Sequence, residues 1–250
     1  MTRTVIGVVV LFLALASPAG TDTALRVLFI GNSYTFCNNL PAIVERMGSA
    51  AGIRIHTRTI AVAGSTLGGH WERGDARLAI REGGWDWVVL QEQSSLGEPL
   101  LVNGIPRITG KRRFHAAVRR FAEEIRHAGA RMLLFLTWSA RTAPEEQQHL
   151  SHAYLTIARE TGASVAPAGL AWYTVRTENP ELNLYMPDGS HPAPAGSYLA
   201  ASSIYAALTG RSPERLPADA NLDAVEARIL QRAAWQATRR LSAAGGYLDF

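Results

Sequence analysis

Cysteine occurs once in the 250 residues, at Cys37, so no disulfide can form within the chain. The fold must therefore stand on its apolar core. Lysine also occurs once, at Lys111. The basic excess, 25 Lys+Arg against 21 Asp+Glu, is thus almost wholly arginine. The nearest thing to a basic run, Lys111-Arg112-Arg113, is short. Nucleic-acid surfaces need clustered cations, so no nucleic-acid partner is expected. Charged residues are scarce at 18%, while hydrophobic residues reach 47%, a balance that excludes disorder as the main state. Beyond the N-terminus no apolar run approaches the ~20 residues that a bilayer crossing requires. Internal repeats and low-complexity stretches are missing as well.

Residues 1–19 have the layout of a secretory signal peptide. Arg3 supplies the positive start, Val5 to Leu15 is uncharged and apolar, and Ala14-Leu15-Ala16 and Ser17-Pro18-Ala19 offer small residues for cleavage. The apolar run is too short for an anchor. Export to a secreted or periplasmic location is expected, with no stable membrane insertion after cleavage. One domain then occupies residues 24–245. With a single cysteine in an oxidising compartment, Cys37 is read as a small packing residue.

Strand-like and helix-like segments alternate along the chain. Apolar runs over Leu25–Ile30, Trp85–Leu90, Met132–Thr137 and the short Ser164–Pro167, with Arg54–Ala63, predict five strands. Helical spacing appears over Leu40–Ala51, Ala76–Arg81, Arg113–His127 and Pro144–Thr161, then at about Ala193–Leu208 and Asn221–Leu241. The strands are continuous apolar runs, which indicates a parallel sheet covered on both faces and an α/β fold class.

In such sheets ligands bind beyond the carboxyl ends of the strands. Gly31-Asn32-Ser33 follows the first strand, Gly64 the second, and Gln91-Glu92-Gln93-Ser94 the third. Asp188-Gly189-Ser190-His191 lies near the end of the chain. A serine hydroxyl is a weak nucleophile until a base takes its proton. His191 can be that base for Ser33, and Asp188, three residues earlier, can hold the imidazole Nδ1 proton from the same loop. A developing oxyanion also needs donors. The backbone N–H groups of Ser33 and Gly64 and a side-chain amide, Gln91 or Gln93, are the candidates.

The blocks Phe29-Ile30-Gly31-Asn32-Ser33, Gly64 and Asp188-x-x-His191-Pro192 resemble the SGNH (GDSL-type) hydrolase superfamily. The resemblance covers roughly Leu25 to Gly210. It implies a flavodoxin-like three-layer α/β/α sandwich with a five-stranded parallel sheet. It also implies a serine nucleophile at Ser33, oxyanion donors at Ser33 and Gly64, and Asp188 with His191 completing a triad. Members of the superfamily are esterases, lipases, thioesterases and carbohydrate deacetylases. This sequence departs at the third block, where Leu90-Gln91-Glu92-Gln93-Ser94 replaces the usual Gly-x-Asn-Asp. It resembles a branch carrying Leu-Gln-x-x-Ser there, with Thr137-Trp138 after the fourth strand. The branch favours Gln91 as the amide donor; counting from the strand favours Gln93. The residue two after Ser33 is Thr35, which speaks against the Gly-x-Ser-x-Gly elbow of α/β-hydrolases.

Further residues are candidates for substrate contact. His70 and Trp71 follow Gly68-Gly69 in an expected loop beyond the second strand, either lining the cleft, with Trp71 stacking on a sugar, or packing within the loop. Trp138 is expected to shape an acyl or sugar pocket. Glu92 is expected to point away, since its charge would oppose an oxyanion. His149 and His152 have metal-pair spacing but no third ligand nearby, so neither a metal nor an organic cofactor is expected. The expectation is an exported serine esterase acting on a small-molecule or carbohydrate ester, with short acyl groups such as acetyl. The alternatives are a non-catalytic carbohydrate-binding protein on the same scaffold and an acyltransferase using the same triad.

Overall fold

The computed structural model describes residues 24–97, 99–102, 105–108, 110–218 and 222–243. The signal-peptide reading of residues 1–19 lies outside them. In chain order the elements are β1 (Leu25–Gly31), α1 (Ser33–Phe36), a 3-10 turn (Cys37–Asn39), α2 (Leu40–Ala50), β2 (Ile55–Ala61), α3 (Leu67–Arg73), α4 (Asp75–Glu82), β3 (Trp87–Leu90), β4 (Pro99–Val102) and β5 (Ile105–Ile108). Then come α5 (Arg112–His127), β6 (Arg131–Phe135), α6 (Glu146–Thr161), β7 (Ser164–Ala166), α7 (Ala168–Glu178), α8 (Pro194–Thr209) and α9 (Ala224–Ala243).

Five strands pair in parallel in the order β2-β1-β3-β6-β7. The apolar runs explain why. Side chains alternate across a strand, so a strand apolar at every position must bury both faces. Val27 and Phe29 of β1 face one core with α2, α7, α8 and α9. Leu28 and Ile30 face another with α3 to α6. β3 and β6 divide their residues in the same way. The result is the three-layer α/β/α sandwich expected from the sequence. β4 and β5 form a separate antiparallel hairpin.

Two departures from the sequence reading concern helices. The expected loop after the second strand is α3, despite Gly68 and Gly69. Thr66 caps it by accepting from Gly69 N–H (2.9 Å), the side-chain capping that starts helices. Residues 168–178, left unassigned by periodicity, form α7. Along the sheet, chain order reverses between β1 and β3. In open α/β sheets ligands bind beyond the strand carboxyl ends at such a switch point, and the chain delivers Ser33 and the Gln91–Gln93 segment to it.

Candidate active site

Asn32 starts α1 and fixes the direction of Ser33. Its side-chain Oδ1 accepts from Tyr34 N–H (3.1 Å) and its Nδ2 donates to Ser65 O (3.0 Å). The first bond caps α1; the second ties α1 to the turn that holds Gly64. Ser33 is the first helical residue, where the backbone N–H has no partner within the helix. Gly31 is required beneath it, because a Cβ there would collide with Thr35 Oγ1 and the Gln91 amide oxygen. Gly64 sits at φ +67°, a left-handed conformation that glycine adopts without strain.

The loop before α8 brings the other two residues to the same rim. His191 Nε2 lies 2.9 Å from Ser33 Oγ, and His191 Nδ1 lies 2.5 Å from Asp188 Oδ2. Asp188 Oδ1 accepts from the N–H groups of both Ser190 and His191 (2.9 Å each). Partial burial raises the Asp188 carboxyl pKa. The bonds from Ser190 and His191 outweigh that, so its pKa falls below the ordinary aspartate value. The carboxylate therefore stays charged beside the imidazole. Arg141 N–H donates to Gly189 O (2.7 Å) and holds this turn against the segment after β6.

An aromatic stack underlies the Ser33–His191–Asp188 cluster. Tyr34 lies parallel to Trp138 (centroids 4.7 Å apart, planes 6°), and Trp138 lies parallel to Trp172 (3.8 Å, 10°). Trp138 Nε1 donates to Ser190 O (3.0 Å), and Tyr34 Oη lies 2.6 Å from Ser190 Oγ. Burial pushes the Tyr34 phenol up to about 12. Cys37 is also raised, by burial and then by the Asp188 charge, which disfavours the thiolate a cysteine nucleophile would need.

Three expectations need correction. Trp138 is 0% exposed and braces the Asp188–His191 turn from below, so it offers no face to a substrate. His70 is 1% exposed, and its Nε2 sits 2.7 Å from Gly31 O, supporting the segment before Ser33 from inside. Burial lowers its pKa. Gln91 is also fully buried. Its Oε1 accepts from Asn32 N–H (2.9 Å) and Thr35 Oγ1 (2.8 Å), and its Nε2 donates to Glu92 O (2.5 Å). The amide is thus engaged in holding the Ser33 segment and is not turned towards an oxyanion. Gln93 is half-buried on the same loop, with Nε2 bonded to Ser94 Oγ (3.1 Å). Trp71 packs edge-on against Phe121 with Arg77 over its ring. His149 pairs with Glu146 (3.1 Å). Among the described residues no three His, Cys, Asp or Glu side chains converge as a metal site.

Solved structures similar to this chain decide the fold by name. A candidate SGNH hydrolase from Slackia heliotrinireducens is 24% identical with TM-score 0.61, covering 74% of this chain and 100% of that one. The fold is that of the SGNH hydrolases. A DUF4886 family protein from Bacteroides uniformis superimposes on the SGNH-like fold with TM-score 0.71 at 19% identity, over 91% of this chain and 98% of its own. A catalytic mutant of an acetylxylan esterase from Geobacillus stearothermophilus gives TM-score 0.59 at 16% identity, over 74% of this chain and 94% of its own. No family model and no curated protein sequence matches the chain. Within this fold, sequence reasoning missed Tyr34 and Ser190 as braces of the Ser33–His191–Asp188 cluster. Their only signal is that each adjoins a motif residue.

Proposed function

We propose that this chain is an esterase that hydrolyses carboxylic esters through an acyl-enzyme on Ser33. The observation that carries this is the continuous contact of Ser33 Oγ, the His191 ring and the Asp188 carboxylate, at 2.9 Å and 2.5 Å. Ser33 Oγ attacks the acyl carbonyl while His191 Nε2 takes its proton. The carbonyl π electrons move onto oxygen, and the N–H groups of Ser33 and Gly64 and the Gln93 amide stabilise that charge. Collapse expels the alcohol, which receives the proton from His191. Water, deprotonated by the same imidazole, then releases the acid and restores Ser33. Asp188 holds the Nδ1 proton and stabilises the imidazolium.

The substrate in this reading is a small-molecule or carbohydrate ester with a short acyl group such as acetyl. The resemblance of the fold to an acetylxylan esterase supports that choice. No helix among the described residues is long and apolar enough to cross a membrane. Export, directed by residues 1–19, belongs to the same proposal and is checked by N-terminal sequencing of the protein recovered outside the cytoplasm. A non-catalytic carbohydrate-binding protein is the second reading, favoured by one observation: the Gln91 amide is held away from the oxyanion position.

A fluorophosphonate probe separates the two. It reacts only with an activated hydroxyl and marks the residue that attacks. Mapping of the adduct to Ser33, lost in Ser33→Ala together with p-nitrophenyl acetate turnover, is the expected result. An unlabelled wild type, or turnover equal in wild type and Ser33→Ala, overturns the esterase reading.

A further inference from the structure

We infer that Tyr34 and Ser190 form a positioning link that sets the approach of His191 to Ser33. The inference rests on the esterase reading above. The Tyr34 ring is buried, and a buried phenol O–H requires a hydrogen-bond partner. Its partner is not in the core. Tyr34 Oη meets Ser190 Oγ at 2.6 Å. One hydroxyl contact thus joins two parts of the chain: the segment carrying Ser33 and the loop carrying Asp188 and His191.

Ser190 stands between Asp188 and His191, and each of its polar groups is anchored differently. Its N–H donates to Asp188 Oδ1 (2.9 Å), its carbonyl accepts from Trp138 Nε1 (3.0 Å), and its hydroxyl meets Tyr34. The Tyr34 ring also lies edge-on to the His191 ring (centroids 5.6 Å apart, 75°). Behind Tyr34, Trp138 and Trp172 are fully buried and stacked. Close-packed interiors leave such rings little freedom. The rigidity of the core is therefore handed to Ser190, and through Ser190 to His191, on a turn that is otherwise solvent-exposed. The same tyrosine follows Ser33 directly in sequence, so displacement of either partner alters the spacing of nucleophile and base. A misplacement of about 1 Å can cost on the order of 10²-fold in rate.

The test uses Tyr34→Phe, Ser190→Ala and the double variant in the full chain. Tyr34→Phe keeps the ring, its stack on Trp138 and its edge contact with His191, and removes only the link. Each single variant should lower kcat and the fluorophosphonate labelling rate about 10-fold to 30-fold, with KM within about twofold of wild type. Because both break one connection, the double variant should be no slower than the slower single. Thermal midpoints should stay close to wild type, and Ser190→Ala, at a half-exposed position, serves should the tyrosine variant unfold. Single variants with kcat within twofold of wild type overturn the inference, as does a double variant whose loss is the product of the two. In either case wild-type labelling of Ser33 leaves the esterase reading standing. A wild type that takes no label removes both.

Discussion

Both carboxylate oxygens of Glu92 lie 3.2 Å from the N–H of Leu67, and Glu92 Oε1 also accepts from Gln93 N–H at 2.7 Å. One buried side chain therefore joins the start of α3 to the loop after β3. Burial raises its pKa from 4.5 to about 7, against the opposing effect of those N–H bonds. The sign follows directly. A carboxyl whose pKa is higher in the folded than in the unfolded protein binds its proton more tightly when folded. Stability is then greatest below about pH 4.5, falls as pH rises towards 7, and is flat above. Glu92→Gln removes the titration and keeps an oxygen for both N–H groups. Its thermal midpoint should gain on wild type between pH 4.5 and 7, by the equivalent of about 3 kcal/mol at most. A gap between the two proteins that is constant with pH counts against this account.

Ser33 and His191 act as one unit in the proposed mechanism. Ser33→Ala and His191→Ala should each lower kcat by about 10⁴-fold to 10⁶-fold, and the double variant should lose no more than the worse single. Asp188→Asn should cost about 10⁴-fold, since the amide favours the wrong imidazole tautomer. Steady-state kinetics on p-nitrophenyl acetate reads all four. Losses that multiply in the double variant speak for two independent roles.

Phe36 lies three residues after Ser33, so the two share a face of α1, and it is 43% exposed. Met186, also 43% exposed, donates its N–H to His191 O (2.8 Å). In the proposed reaction these two exposed apolar side chains, one on α1 with Ser33 and one bonded to the His191 backbone, would offer contact to an apolar part of the substrate. Phe36→Ala and Met186→Ala should raise KM about threefold to 10-fold for butyrate over acetate esters, with kcat nearly unchanged, since burying a CH₂ is worth ~0.8 kcal/mol. Equal KM changes for both acyl lengths reject these contacts.

Gly31→Ala tests the close approach beneath Ser33. The added methyl group must displace Thr35 Oγ1 and the Gln91 amide. Overpacking of this kind typically costs ~1–3 kcal/mol, and here it also shifts Ser33. A lower thermal midpoint with loss of fluorophosphonate labelling is expected. Unchanged labelling shows that the site tolerates the shift.

The sheet was legible because β1, β3 and β6 carry runs of consecutive apolar residues, a pattern that two covered faces explain, whereas β2, with His56 and Arg58, does not share it. The hidden helices show where sequence patterns end. Gly68 and Gly69 argue against α3, yet the Thr66 cap and the distant Glu92 carboxylate satisfy its first N–H groups. In α7, Trp172 and Val175 are buried but the apolar residues do not form a single stripe, so periodicity is weak. Ser33, Asp188 and His191 stood out because their residue types and spacing fit one reaction. Trp138, His70 and Gln91 were misjudged for a common reason: position near a strand end is readable in sequence, whereas the direction a side chain takes from there depends on partners as distant as Ser190.

Ser33 and His191 are separated by 158 positions along the chain. The hydroxyl leaves the ribosome early and its proton acceptor late, after every strand of the sheet has been made. No nascent chain that ends before His191 can cleave an ester by this mechanism, and none shortened from the C-terminus past that point can recover it. In the proposed reaction, ester turnover would therefore first appear only once the segments carrying Ser33 and His191 have come together.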